Sequence, residues 1–153
     1  MKSLRERGHA MLELAISASV MMACLAGAFQ FGYTFYIYDQ LVSAVGNGAR
    51  YAASRTYRSA SAADIERGRA AIRNLVVYGD SRPAADAVPV TAGLKPENVQ
   101  VAWIMGDDGK PSAVDVTIVN YSVGAIFGAF KIDHRPFAEF PYLGRYAPAE
   151  SEP

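Results

Sequence analysis

The sequence predicts an α+β protein: a long N-terminal membrane helix, a second helix and a small antiparallel sheet. Three observations carry that prediction. Residues 14–38 form a run of 25 without one charged side chain. Residues 61–78 repeat apolar positions at the spacing of a helix, and from Val99 the apolar period drops to two, the spacing of a half-buried strand.

The apolar run is the first element. As a helix rising ~1.5 Å per residue it extends roughly 37 Å, more than the ~30 Å hydrocarbon core of a bilayer. Lys2, Arg5 and Arg7 precede it, offset by Glu6, whereas Asp39 and Gln40 follow it and no basic residue comes before Arg50. The positive-inside rule places the N-terminus in the cytoplasm and residues 39–146 outside as one α+β domain, with 147–153 a loose tail. Phe29, Phe31, Tyr33, Phe35, Tyr36 and Tyr38 crowd the outer half of the span, and its tyrosines suit an interfacial girdle.

Leu41, Val45, Gly48 or Ala49, and Ala52 continue at helical spacing, so the helix is expected to outlast the membrane. Gly46 and Gly48 each lower helix propensity by ~1 kcal/mol, which points to a kink or break there. In the second helix Ser61 can cap the start, Asp64 and Glu66 lie in the first turns, and Ile65, Ala71 or Ile72, Leu75 and Val76 make the stripe. Gly79 stops it. Pro83, Pro89, Gly93 and Pro96 mark residues 80–96 as a connector. Val99, Val101, Trp103 and Met105 then alternate with polar or smaller residues as a strand. Gly106-Asp107-Asp108-Gly109-Lys110-Pro111 turns, and residues 113–121 return with Val114, Val116 and Ile118 on one face. Residues 123–130 are apolar but too short to span, and are expected either as a third core element or as a loop resting on the bilayer. A last strand is expected over 136–142.

Charge and cysteine content limit the chemistry. The formal net charge is zero, but residues 50–82 carry a net +4 and residues from Asp86 onward a net −4. Solvated faces of opposite sign are the simpler reading, and contact between the halves or between subunits the sharper one. A nucleic-acid partner is not expected on the exported side. The single cysteine, Cys24, lies in the span, so no disulfide framework holds the exported domain. His134 is its only histidine. No nucleophile elbow accompanies Asp133-His134, and Asp107-Asp108 in their glycine-flanked turn lack the spaced oxygen ligands and closing Glu of a calcium loop. No catalytic residue, metal site or cofactor is expected.

The N-terminus carries the specific signal. Gly8 closes the basic leader, 1–8, and Glu13 stands at the head of the apolar helix, 9–38. A carboxylate at the centre of a membrane helix costs roughly 2.5–3.5 kcal/mol on insertion scales, and less near the interface. Rival signals are present. Ala26-Gly27-Ala28 has the small residues of a general signal-peptide site, and Met21-Met22-Ala23-Cys24 superficially resembles a lipoprotein site. An uncleaved anchor leaves Glu13 without a role.

Gly8, Glu13 and the apolar helix resemble the type IV pilin and pseudopilin signal. Phe31-Gly32-Tyr33, then Gly48-Ala49-Arg50-Tyr51-Ala52-Ala53, are similar to TadE-like pseudopilins of the tight-adherence (Flp pilus) machinery. The likeness is clearest over residues 7–53 and architectural beyond. The chain departs from the family pattern at Gln30, where an acidic residue is common, and at His9, where small or apolar residues are familiar. The resemblance implies a pilin-like architecture and cleavage by a prepilin peptidase between Gly8 and His9. It implies a minor pilin or pseudopilin that helps assemble adhesive Flp pili from a bacterial inner membrane. Its partners would be other pilins, the assembly platform and inner-membrane lipid. Glu13 would set subunit register, and Phe31, Gly32, Gly48, Ala49, Arg50 and Tyr51 would form the family motif. The runner-up is an uncleaved, single-pass anchored binding or sensor domain; an anchored enzyme comes third.

Overall fold

A computed structural model describes residues 2–55, 57–58, 62–125 and 128–147. Helix α1 (Lys2–Ser54) is 53 residues long, roughly 80 Å at the α-helical rise. Between Gly8 and Leu25 it is exposed on nearly every face, with Met11, Leu14, Val20, Met22 and Leu25 among its uncovered apolar side chains. A helix stretch apolar all round and packed on nothing fits a membrane anchor. From Gln30 one stripe turns inward, and Ile37, Leu41, Ala44, Val45, Ala49 and Ala52 are buried in the core. Leu41 and Val45 are fully enclosed, and each such side chain contributes about 1.5–3 kcal/mol relative to exposure.

The helix does outlast the apolar run, but the break expected at Gly46 or Gly48 does not occur: α1 is continuous through both. A neighbour explains this. Gly48 lies against Val76 of helix α2 (Ala62–Tyr78), so closely that a Cβ would overlap the valine methyl. The propensity lost at that glycine is offset by close packing between the helices.

Helix α2 matches its expected span, although Ser61, its expected cap, lies outside the described residues. Ile72, Val76 and Val77 are its buried residues; Val77 was not in the expected stripe. Gly79 ends the helix at φ 74°, its N–H bonding the Leu75 carbonyl at 2.9 Å, a conformation glycine adopts without a Cβ penalty. The connector returns Leu94 to the core and ends in a single 3-10 turn, Pro96–Asn98.

The main sheet has the order β2-β3-β6, antiparallel throughout. Strand β2 is Val99–Met105, β3 is Pro111–Ile118 and β6 is Phe137–Pro141. Val101 pairs with Val116, Trp103 with Val114, and Val114 with Phe140. Directly opposed residues share a face, so Val99, Val101, Trp103, Val114, Val116, Ile118, Ala138 and Phe140 line one side. That side meets both helices, giving two layers around one core. The opposite side, with Gln100, Ile104 and Glu139, faces away from the helices.

Three strand expectations need correction. Met105, expected on the face of Val99, Val101 and Trp103, is exposed, because a bulge between Ile104 and Met105 shifts the register and ends the alternation. The strand expected over 113–121 begins at Pro111 and stops at Ile118; Asn120 turns the chain at φ 51°. Of the two expectations for residues 123–130, the core element is the one found, but as two strands rather than one. Strand β4 (Tyr121–Ala125) pairs antiparallel with β5 (Gly128–Ile132) as a hairpin, with Tyr121 and Val123 in the core. The expected antiparallel sheet is therefore accompanied by this hairpin and by a short parallel pairing of β1 (Tyr57–Arg58) with β7 (Tyr146–Ala147). Residues 148–153 of the expected tail lie outside the described residues.

Candidate functional site: the exposed anchor helix and its docked end

Gly8, His9 and Glu13 lie on the bare part of α1 and are exposed. The helix continues through Gly8, and no side chain stands close enough to crowd a Cβ there. Among the described residues Glu13 has no hydrogen bond or ion pair. It lies on a stretch with Leu12 and Leu14 uncovered on either side, so its charge has no partner within the described chain. An ionised group in that setting requires one from elsewhere or pays the cost of lipid exposure.

The motif residues divide by position along α1. Phe31 and Gly32 are exposed, on the part still outside the domain. Gly48 and Ala49 are buried, Gly48 against Val76. Small residues on this face let α1 lie close to α2 and to the sheet, and Ala52 and Ala53 extend the stripe. Arg50 is exposed, and Tyr51 is partly buried at the edge of the core. The Arg50 guanidinium sits 5.4 Å from the Phe140 ring centre, and Arg55 lies 4.4 Å over the Tyr51 ring while donating to the Tyr51 hydroxyl. Such cation–π contacts are worth ~0.5–1 kcal/mol at exposed sites.

The end of α1 is tied down by the C-terminal segment. The Leu143 N–H bonds the Ala53 carbonyl at 2.9 Å, satisfying a helix-end acceptor that would otherwise lack a partner. The Tyr142 hydroxyl lies 2.6 Å from the Arg55 carbonyl and 2.9 Å from that of Arg145. Beside this junction, Tyr51, Arg55, Ile65, Gly68 and Trp103 help line a cleft of about 270 Å³ between the two helices and β2.

Among the described residues the ion pairs join residues of the same half. Arg67 pairs with Asp64, and Arg69 with Glu66, each three residues apart on α2. Arg73 Nε donates to the Val99 carbonyl at 3.2 Å. In the acidic half, Lys110 pairs with Asp108 and His134 with Asp133. Asp133 is held below the usual carboxylate range, first by the Asn120 N–H that bonds it and then by the nearby His134 and Lys131. Among the described residues no three His, Cys, Asp or Glu side chains cluster to hold a metal.

Sequence reasoning missed Gln30 as a packed residue. It is buried, although Phe29 and Phe31 on either side are exposed, and its amide donates to the Thr34 hydroxyl at 3.2 Å. The signal available was a lone amide inside a charge-free run, four residues before a threonine.

Comparison with known proteins adds one finding. The model of the TadE-like protein family matches residues 8–50, from the glycine that closes the basic leader to the arginine stacked on Phe140. No curated protein and no solved structure matches the chain. The match coincides with the bare and docked parts of α1 and stops before α2 and the sheet. The apolar helix fits a membrane anchor, and residues 8–50 are similar to the TadE-like protein family.

Proposed function

We propose that this chain is a pseudopilin or minor pilin of a Flp-type, tight-adherence apparatus, made as an inner-membrane precursor. Its N-terminus lies in the cytoplasm and its α+β domain in the periplasm. A prepilin peptidase cuts between Gly8 and His9, removing Lys2, Arg5 and Arg7. The new amine of one subunit then pairs with Glu13 of a neighbour, fixing how far one helix slides along the next. Its role is structural, in filament assembly and adhesion, with no catalysis.

The observation that carries this reading is Glu13 itself: a carboxylate with no partner among the described residues, five positions after Gly8, on the bare N-terminal stretch of α1. Pairing it removes the cost of an isolated charge in lipid. Intact-mass analysis of the protein from its native host tests the reading, and a mature chain beginning at His9 is the expected result. A chain retaining Met1 in cells with an active prepilin peptidase refutes it and favours an anchored binding domain, with the Tyr51–Trp103 cleft as its site.

A further inference from the structure

Gln30, Thr34, Ile37 and Leu41 follow one another at three- or four-residue steps and so share a side of α1. Gln30 is only 7% exposed, whereas Phe29 and Phe31 are 69% and 64% exposed. A single helix cannot enclose its own glutamine, so another segment lies against this side well below the domain core.

Strand direction identifies that segment. The Tyr142 N–H bonds the Ser112 carbonyl and the Leu143 N–H bonds the Ala53 carbonyl, so the start of β3 is level with the end of α1. From Ser112 the strand runs back along α1 at ~3.3 Å per residue and reaches Ile118 after ~20 Å, the level of about residue 40. Leu41 and Ile118 share the core. Beyond it, Tyr121 and Val123 of β4 join the same cluster as Ile37, and β4 touches α1. At strand rise Val123 lies at most ~16 Å past Ile118, which takes the hairpin toward the level of Gln30.

That level has a meaning in a bilayer. A hydrocarbon core of ~30 Å accommodates about 20 helical residues. Counted from the residue after Glu13, it ends near Tyr33, with Tyr36 and Tyr38 in the headgroup region. The β4–β5 hairpin therefore lies at the depth where acyl chains give way to headgroups. Its composition suits that place. From Tyr121 to Phe130 no residue is charged. Phe130, paired with buried Val123, is 52% exposed. Lys131 follows, about 10 Å along β5 from Gly128 at strand rise, and its long stem lets an ammonium reach lipid phosphates. A two-stranded hairpin leaves backbone edges unpaired, which bars it from the hydrocarbon centre but not from the hydrated interface.

We infer that the β4–β5 hairpin is a second membrane contact, resting in the outer interface of the bilayer beside α1. Its partner is phospholipid: Phe130 meets the upper acyl chains, and the hairpin screens the Gln30–Thr34 pair from them. The inference rests on α1 being a membrane anchor, and the test separates the two claims.

The full chain is reconstituted in phosphatidylcholine vesicles brominated either near the headgroup end or near the terminus of the acyl chain. Single-tryptophan reporters F29W and F130W are made in a W103F background. The expected result is that F130W loses most of its emission to the shallow bromines and little to the deep ones, and that F29W is quenched as well. Quenching of F29W with none of F130W overturns the hairpin contact and leaves the anchor standing. Quenching of neither overturns both. Should W103F fail to fold by circular dichroism, Trp103 is kept and the quenching of F130W is read as the difference from the wild-type chain.

Discussion

Gly46 and Gly48 offer the sharpest test of how α1 is held, because the same substitution is expected to act with opposite sign two residues apart. Replacing either glycine by alanine removes backbone freedom from the unfolded chain and raises helix propensity by about 1 kcal/mol. At Gly46, which is half-buried, an added Cβ meets nothing within 4 Å, so G46A keeps the whole gain. At Gly48 the Cβ is driven into Cγ2 of Val76, with Ile72 Cγ2 3.8 Å away. Val76 has no escape: it is fully buried and its β-branched side chain has one strongly preferred rotamer in a helix. Overpacking of this kind costs about 1–3 kcal/mol, so the net change in G48A runs from near zero to about 2 kcal/mol destabilising. For a domain of this size 1 kcal/mol moves the midpoint by ~4–8 °C. Thermal unfolding in detergent, followed by Trp103 fluorescence, reads the exported domain rather than the anchor. G46A should melt above wild type and G48A below G46A by several degrees. In the V76A background the penalty of G48A should largely vanish, a coupling of ~0.5–3 kcal/mol for residues in contact. If G48A melts with G46A, the two helices are not in close contact at Gly48.

Further expectations follow from other contacts. Glu13→Gln should leave membrane insertion and domain folding unchanged while reducing pilus assembly in cells; wild-type piliation in E13Q would remove the proposed register pair. Asn98→Ala should destabilise by about 1–3 kcal/mol. Its amide donates to the Val119 and Asn120 carbonyls at 3.1 and 3.0 Å, and its Oδ1 accepts from the Lys95 N–H at 3.1 Å; urea titration checks this. Tyr142→Phe should cost about 0.5–1.5 kcal/mol and raise hydrogen exchange at the end of α1, since it removes the hydroxyl bonded to the Arg55 carbonyl. Asp133 has a pKa below the ordinary carboxylate value because the Asn120 N–H favours its charged form. Its contribution is therefore complete above the unfolded pKa of about 4 and is lost as pH falls through the lower folded value. D133N should flatten that part of the acid-unfolding profile, and an unchanged profile would show that the bond adds nothing.

Much of the secondary structure was legible because it rests on local patterns. The bounds of α2 follow from its stripe and from Gly79, and the alternation in β2 and β3 names the inner face correctly through Trp103. Legibility fails where a distant partner decides. Gly48 reads as a helix breaker until Val76 is opposite it. Met105 reads as an inner residue until the bulge before it shifts the register. Residues 123–130 carry no alternation that tells a hairpin from a loop. For the candidate site, Glu13 and its spacing from Gly8 are entirely sequence features, whereas the burial of Gln30 is not, since the segment that covers it lies far along the chain.

The sequence by itself determined that α1 is long, apolar and led by positive charge, that a second helix and a strand hairpin follow, and that Glu13 stands alone among apolar neighbours. Those properties depend on composition and on spacing within a few turns, which the chain carries locally. Only the tertiary structure decided how far along α1 the domain is docked, which glycine is a contact rather than a weakness, and where the β4–β5 hairpin lies. These depend on which surfaces meet, and burial is a property of the pair of surfaces rather than of either sequence segment alone.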